Sequence, residues 1–234
     1  MKYELYYHAA NPGRGEFIRV ALEEARADYV DVAREPRGTE HMTALMQERL
    51  QFAPPFLKHG DVVIGQTANV LLYLGGRLGL APEEEAARLW AHQLQLTVSD
   101  LLKEIQDTHH PVAHGLYYDD QKAEALTYTR HFIAERLPKF LGYFERVLGR
   151  SGSVGHMIGD RLSYVDLSMF VLFEGLRWSF PDTMKRIEPQ YPGLSALQDK
   201  VAARPNIAAY MGSPRHMALN DRGIFRHYPE LDLP

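Results

Sequence analysis

The chain has 234 residues, is 45% hydrophobic, and carries a formal net charge of −4. That length suits one large domain or two small ones with a real core, and the charge gives no bulk attraction to nucleic acid. No run of like charge is long enough to act as a binding tail. There is no cysteine, which excludes structural disulfides, thiolate metal sites and any redox step in which the protein itself supplies a thiol. The start, Met1-Lys2-Tyr3-Glu4-Leu5, lacks an apolar leader core. No later segment approaches membrane-spanning length, so a cytoplasmic protein without membrane or nucleic-acid partners is expected. The eleven histidines show no i,i+4 pairing on a clear helix, so no metal is expected.

In chain order, residues 2–8 are aromatic-rich and read as a strand, and Asn11-Pro12-Gly13 reads as a turn. Residues 14–25 place Phe17, Ile18, Ala21 and Leu22 at helical spacing, and Tyr29 to Ala33 reads as a second short strand. A weaker helical segment covers residues 39–48. Ala53-Pro54-Pro55-Phe56 then enters a strand, Gly60-Asp61 turns it, Val62-Val63-Ile64 returns, and a helix opens at Gln66-Thr67. Gly75-Gly76 and Gly79 are expected to end that helix after Tyr73. From Glu83 the pattern is helical almost to the end, with long stretches at 83–108 and 120–148 separated by His109-His110-Pro111 and the Gly115–Tyr118 loop. Ser163-Tyr164-Val165-Asp166 is an S-x-x-D capping box opening an apolar run. No internal repeat or low-complexity segment is present.

The proline-entered β-β-α unit ending in Gln66-Thr67 resembles the second half of the glutathione-binding domain of the cytosolic glutathione transferases. Gly13-Arg14-Gly15-Glu16-Phe17-Ile18-Arg19 resembles that family's "RGR-x-E-x-x-R" helix start. Gly159 to Asp166 looks like its capping box and hydrophobic staple, and Tyr191-Pro192-Gly193-Leu194 … Ala203-Arg204-Pro205-Asn206-Ile207 … Tyr210 like its "YPxL … ARPxI … Y" run. The motifs span Tyr3 to Met211, and residues 213–234 fall outside them. The resemblance, closest to bacterial-type members with a tyrosine or asparagine donor, implies an α/β plus all-α protein. A thioredoxin-like domain (1–77) would be joined through 78–82 to an all-helical bundle domain (83–234).

The resemblance also implies the chemistry. Glutathione is the co-substrate, and its thiolate attacks a small hydrophobic electrophile, with peroxide reduction as a related activity. A thiol of pKa ~8.5 is only a few per cent ionised at neutral pH. Lowering that pKa by about two units requires ~2.7 kcal/mol of preferential thiolate stabilisation, much of which one hydroxyl or amide donor can supply. Tyr7 and Asn11 are the candidate donors, and Arg14 stands close to both in sequence. Register places the family's cis-proline at Pro55, which leaves Pro54, without an N–H, at the residue that pairs with the cysteinyl backbone. Gln66 and Thr67 match the pair that holds the γ-glutamyl group. Asp100 is the candidate acid reaching across a homodimer, with Phe52 as a candidate interdomain plug. Arg49 or His41 would hold the glycyl carboxylate. His110, Tyr117 and Trp178 are candidates for the electrophile pocket, and the tail from Asn220 to Tyr228 would fold over that pocket or over the domain interface. A glutathione-dependent disulfide reductase and a non-catalytic glutathione- or ligand-binding protein stand as alternatives.

Overall fold

The computed structural model describes residues 1–150 and 155–232, so positions 151–154 and 233–234 of the expected helical domain lie outside the described residues. The first part is a four-stranded sheet with three helices. Its elements are β1 (Tyr3–Tyr6), α1 (Gly13–Glu24), β2 (Tyr29–Asp31), α2 (Gly38–Glu48), β3 (Phe56–His59), β4 (Val62–Gly65) and α3 (Thr67–Leu78). The strand order is β2-β1-β3-β4, with β1 and β2 parallel and the other pairs antiparallel.

Strand alternation assigns the two faces. Leu5 and Leu57 point to one side and pack with Ile18 and Leu22 of α1 and Val70 and Leu74 of α3. Tyr6 and Phe56 point to the other, pack with Met42 of α2, and stack ring on ring at 4.7 Å. This settles the two neighbouring tyrosines: Tyr6 is core, its hydroxyl donating to Glu4 at 2.6 Å. Tyr7 leaves the sheet one residue past the end of β1 and turns toward α1.

Two expectations are corrected. The first strand is four residues long rather than seven. The helix expected to stop after Tyr73 runs to Leu78 and is closed by Gly79 in the left-handed region (φ 68°). Gly75 is not a terminator but a close-approach site, because a Cβ there would meet the ring of Tyr164 at 2.7 Å.

The helical part follows as α4 (Glu85–Asp107), α5 (Lys122–His131), a π-helical stretch (Phe132–Arg136), α6 (Leu137–Arg150), α7 (Tyr164–Ser179), α8 (Pro181–Ile187), α9 (Pro192–Ala202) and α10 (Pro205–Met211). Helix α7 is the axis of the bundle: Val165, Leu167, Leu172 and Leu176 are all fully buried. The sequence motifs have direct structural duties here. Pro192 starts α9, and Glu145 accepts the N–H groups of Gly193 and Leu194 at 2.8 and 2.9 Å, supplying orphan donors of the first turn with a charged acceptor. Arg204 pairs with buried Glu24 of α1 at 2.5 Å, and Asn206 donates to the Glu24 carbonyl at 2.7 Å. The ARPNI run is thus a bolt between the helical part and the end of α1.

The tail after α10 is a strap. Asn220 donates to the Ala10 carbonyl at 3.2 Å, Ile224 and Phe225 are buried, and Tyr228 stacks on Tyr118 at 3.8 Å. Asp232 caps α8 by accepting from Asp182 and Thr183 at 2.7 and 2.9 Å. The strap is pinned midway by His109, whose Nε2–H donates to the Ile224 carbonyl at 2.8 Å. Neutral His109 then offers Nδ1 as an acceptor, so His110 donates its Nδ1–H across 2.5 Å. Burial holds the His109 pKa at about 3. The unfolded chain protonates this residue near 6.5 while the folded chain does not, so folding stability falls as pH drops from about 6.5 toward 3. A thermal melt series across that range should show a loss approaching one proton, ~1.4 kcal/mol per pH unit. His109→Gln, which keeps a donor but cannot protonate, should flatten the series by that amount. An unchanged slope would refute this account of the strap.

Candidate active site

Tyr7 is buried, with its hydroxyl at the start of α1, where the Arg14 N–H donates to the phenol oxygen at 3.0 Å. Burial raises its pKa, while that hydrogen bond and the charges of Arg14 and Arg19 oppose the rise without cancelling it. The phenol therefore stays protonated at neutral pH. Its acceptor side is occupied by a helix N–H, so its proton is available to donate elsewhere. Gly13 makes this approach possible: it sits at φ 39°, and a Cβ would collide with both the Tyr7 hydroxyl and Asn11 Oδ1. The two candidate donors thus lie beside the same glycine. Asn11 Oδ1 is buried without a hydrogen-bond partner and faces Gly223 of the strap.

The loop between Tyr7 and α1 is held by a buried ionic cluster whose pairing the motifs by themselves do not reveal. Arg19 is fully buried, pairs with Asp31 at 2.7 Å and Glu16 at 3.2 Å, and donates to the Pro12 carbonyl at 3.2 Å. Tyr210 of α10 donates to the other oxygen of Glu16 at 2.7 Å. Glu16, Arg19 and Tyr210 belong to the quoted motifs, whereas Asp31 belongs to none. Their contacts brace the loop from α1, β2 and α10.

Next to this lies a pocket of about 510 Å³, lined by Arg14, Phe52, Pro54, Pro55, Gln66, Thr67, Ala68 and Asn69, with His92, Leu96 and Ser99 of α4 as the opposite wall. The peptide bond between Pro54 and Pro55 is cis. Gln66 takes φ 67°, an uncommon left-handed value for a side-chain-bearing residue, as it turns the chain from β4 into α3. The first-turn N–H groups of α3 face the pocket without intrahelical partners. Thr67 Oγ1 is buried there without a hydrogen bond, and so is His92 Nδ1. Arg14 has no ion-pair partner among the described residues, and desolvation lowers its pKa. A helix N-terminus, an uncompensated guanidinium and an unpaired hydroxyl converge, which is the chemistry of a carboxylate site.

Of the other residues expected at the site, few join it. Arg49 donates to the Asp61 carbonyl at 2.9 Å, and His41 is exposed on α2. Asp100 is exposed and lines a separate groove with Lys103, Arg136 and Tyr143. Tyr117 is 82% exposed, His110 lies under the strap beside His109, and Trp178 lines an apolar cavity on another face of α1. These three are not brought together. His92, Leu96 and Ser99 were missed, because one wall of a pocket on a long helix carries no motif. Among the described residues no group of three or more His, Asp or Glu side chains is arranged to hold a metal ion, and no helix is long and apolar enough to cross a membrane.

Residues 106–214 match the family model for the glutathione S-transferase C-terminal domain. The chain is 24% identical over 216 residues to a glutathione S-transferase of Plasmodium falciparum, covering 88% of this chain and 93% of that protein. It is 28% identical over 204 residues to glutathione S-transferase P of Caenorhabditis elegans, covering 85% and 87%. These findings support membership of the cytosolic glutathione S-transferase family. The structure of the Onchocerca volvulus Pi-class glutathione S-transferase superposes with a TM-score of 0.69 at 22% identity, covering 90% of this chain and 92% of that one. That likeness establishes the fold: a thioredoxin-like domain followed by a helical domain. The ARPNI bolt and the Asp166 box both lie inside the region that the family model matches.

Proposed function

We propose that the protein is a glutathione transferase that binds glutathione in the pocket between α3 and α4 and holds its thiolate against Tyr7. The observation that carries this reading is the pairing of the carboxylate-seeking end of α3 with the Tyr7 hydroxyl, whose acceptor side is already filled by the Arg14 N–H. The volume of the pocket, about 510 Å³, is ample for a tripeptide-sized ligand. The γ-glutamyl carboxylate takes the Thr67 hydroxyl and the free N–H groups of α3, with Gln66 beside it. Arg14 supplies compensating charge. Pro54 offers the cysteinyl backbone a carbonyl but no N–H. Domains 1–77 and 83–234 with linker 78–82 belong to this reading.

In the reaction the bound thiol loses its proton to solvent, and the Tyr7 O–H donates to the sulfur anion. The sulfur then attacks an electrophilic carbon and the leaving group departs with the bonding pair. Catalysis comes from thiolate stabilisation and orientation. The second substrate approaches near Asn11, where Gly223 and the rest of the strap pack over the loop. A panel of a chlorodinitrobenzene-type electrophile, cumene hydroperoxide and a mixed disulfide tests the assignment. Conjugation should be the dominant activity. Turnover of the mixed disulfide alone would replace this reading with a disulfide reductase, and no turnover with intact glutathione binding would leave a binding protein.

The working unit is a homodimer. Asp100 is exposed and lines a groove separate from the pocket of its own Gln66 and Thr67, a position that suits it to a neighbouring subunit's glutathione. Phe52, the expected plug, is 95% exposed and Leu50 90% exposed, an apolar pair at the pocket mouth suited to burial against a second copy. Sedimentation at micromolar concentration should give a dimer of the 26.7 kDa chain. A monomer under those conditions would contradict this assembly.

A further inference from the structure

A second cavity, of about 270 Å³, lies between α1, α7 and the strap. It shares no lining residue with the pocket at α3. On α1 it is bounded by Gly13, Glu16 and Val20, spaced to fall on one helix face, whereas Arg14 points from a different face into the other pocket. Its walls are predominantly apolar, with Phe170, Trp178, Leu219 and Phe225 among them, and residues 216–219 form its roof.

The polar groups in the lining are unusual in sign. They are Glu16, Glu174 and His216, with no lysine or arginine among them. Glu16 is already compensated by Arg19 at 3.2 Å and the Tyr210 hydroxyl at 2.7 Å. Glu174 is not. Its nearest cation, Arg177, stands at 3.6 Å and is committed to Glu188 at 2.5 Å, while Gln198 donates to Oε1 of Glu174 at 2.6 Å. Oε2 of Glu174 makes no hydrogen bond among the described residues. An anion placed here would be repelled by the half-exposed Glu174 carboxylate, whereas a cation would find its free oxygen as a partner.

We propose that this cavity is a separate binding site for a small aromatic ligand that is cationic or neutral, with its ring against Phe170 and Trp178 and a basic group at Glu174. The volume, below that usual for drug-sized ligands, restricts it to a molecule of one or two rings. The site is independent of the glutathione pocket, and occupying it stiffens the strap rather than blocking the thiolate.

Calorimetric titration with three probes of equal ring size tests this. 1-Naphthylmethylammonium should bind best, 1-naphthol next, and 1-naphthalenesulfonate about ten-fold more weakly or worse. Saturating glutathione should leave the affinities unchanged. Any inhibition of conjugation by the ammonium probe should be non-competitive with the aromatic electrophile. Glu174→Gln keeps an acceptor for Gln198 and should weaken the ammonium probe by about five-fold, the upper range for a half-exposed ion pair, without altering naphthol. Leu219→Arg, at the half-buried roof, should reverse the preference toward the sulfonate. If it fails to fold by circular dichroism, Glu174→Gln still decides. Equal binding of the sulfonate, competition with the electrophile, or no binding at millimolar probe would overturn the proposal. The titrations without glutathione stand whether or not the transferase assignment does.

Discussion

Tyr7→Phe is expected to raise the pKa of bound glutathione and lower the conjugation rate at neutral pH by ten-fold or more, on the order of 1.4 kcal/mol. The ring stays, packed against Gly15, and only the hydroxyl is lost. That hydroxyl is buried, remains protonated, and has its acceptor side filled by the Arg14 N–H at 3.0 Å, so its remaining capacity is donation. Losing it destabilises the anion and leaves the neutral thiol almost untouched. The rate should therefore recover as pH rises, and glutathione affinity should change little because the carboxylate contacts lie on α3. Asn11→Ala should be mild by comparison. Asn11 Oδ1 is buried and unpaired behind Gly13, under the strap, so its removal disturbs the strap more than the sulfur. Titration of the thiolate absorbance in both variants decides. A curve unmoved by Tyr7→Phe but shifted upward by Asn11→Ala would transfer the donor role to the loop.

The second large effect belongs to Asp166. Its carboxylate is fully buried and accepts the Met157 N–H, the Ser163 N–H and the Ser163 hydroxyl, each at 2.7 Å. A capping residue by itself contributes about 1 kcal/mol. Here the substitution Asp166→Ala also strands two buried backbone donors, at about 1–3 kcal/mol each. A loss of ~3 kcal/mol or more is expected, which for a chain of this size lowers the melting temperature by about 6–12 °C. Thiolate titration in the folded fraction should be normal, since no residue of the box lines the pocket beside Tyr7. Asp166→Asn, which keeps one acceptor oxygen, should recover part of the loss. A wild-type melting temperature for Asp166→Ala would show that the box does not hold the start of α7.

Local chemistry made much of the molecule readable in advance. The β-α-β and β-β-α order followed from alternation, turn residues and helical spacing, which depend on neighbours a few positions apart. The same is true of the Ser163–Asp166 box and of Gln66-Thr67 at a helix start. The end of α3 escapes a local reading because Gly75 resembles a terminator, yet its missing side chain makes room for the ring of Tyr164, nearly ninety positions away.

The order of elements and the capping devices are written in the sequence, and its resemblance to the transferases supplies Tyr7 and Asn11 as candidate thiolate donors. Only long-range packing places one of two adjacent tyrosines against α1, leaves Arg14 without a counter-ion among the described residues, and makes Glu16 and Arg19 brace the loop through Asp31 and Tyr210. It also placed His92 in a pocket wall, separated His110, Tyr117 and Trp178, and drew the tail across His109. The reason is one of range. Propensity, capping and alternation act along the chain over a few residues, while burial and charge compensation depend on which distant segments fold against each group.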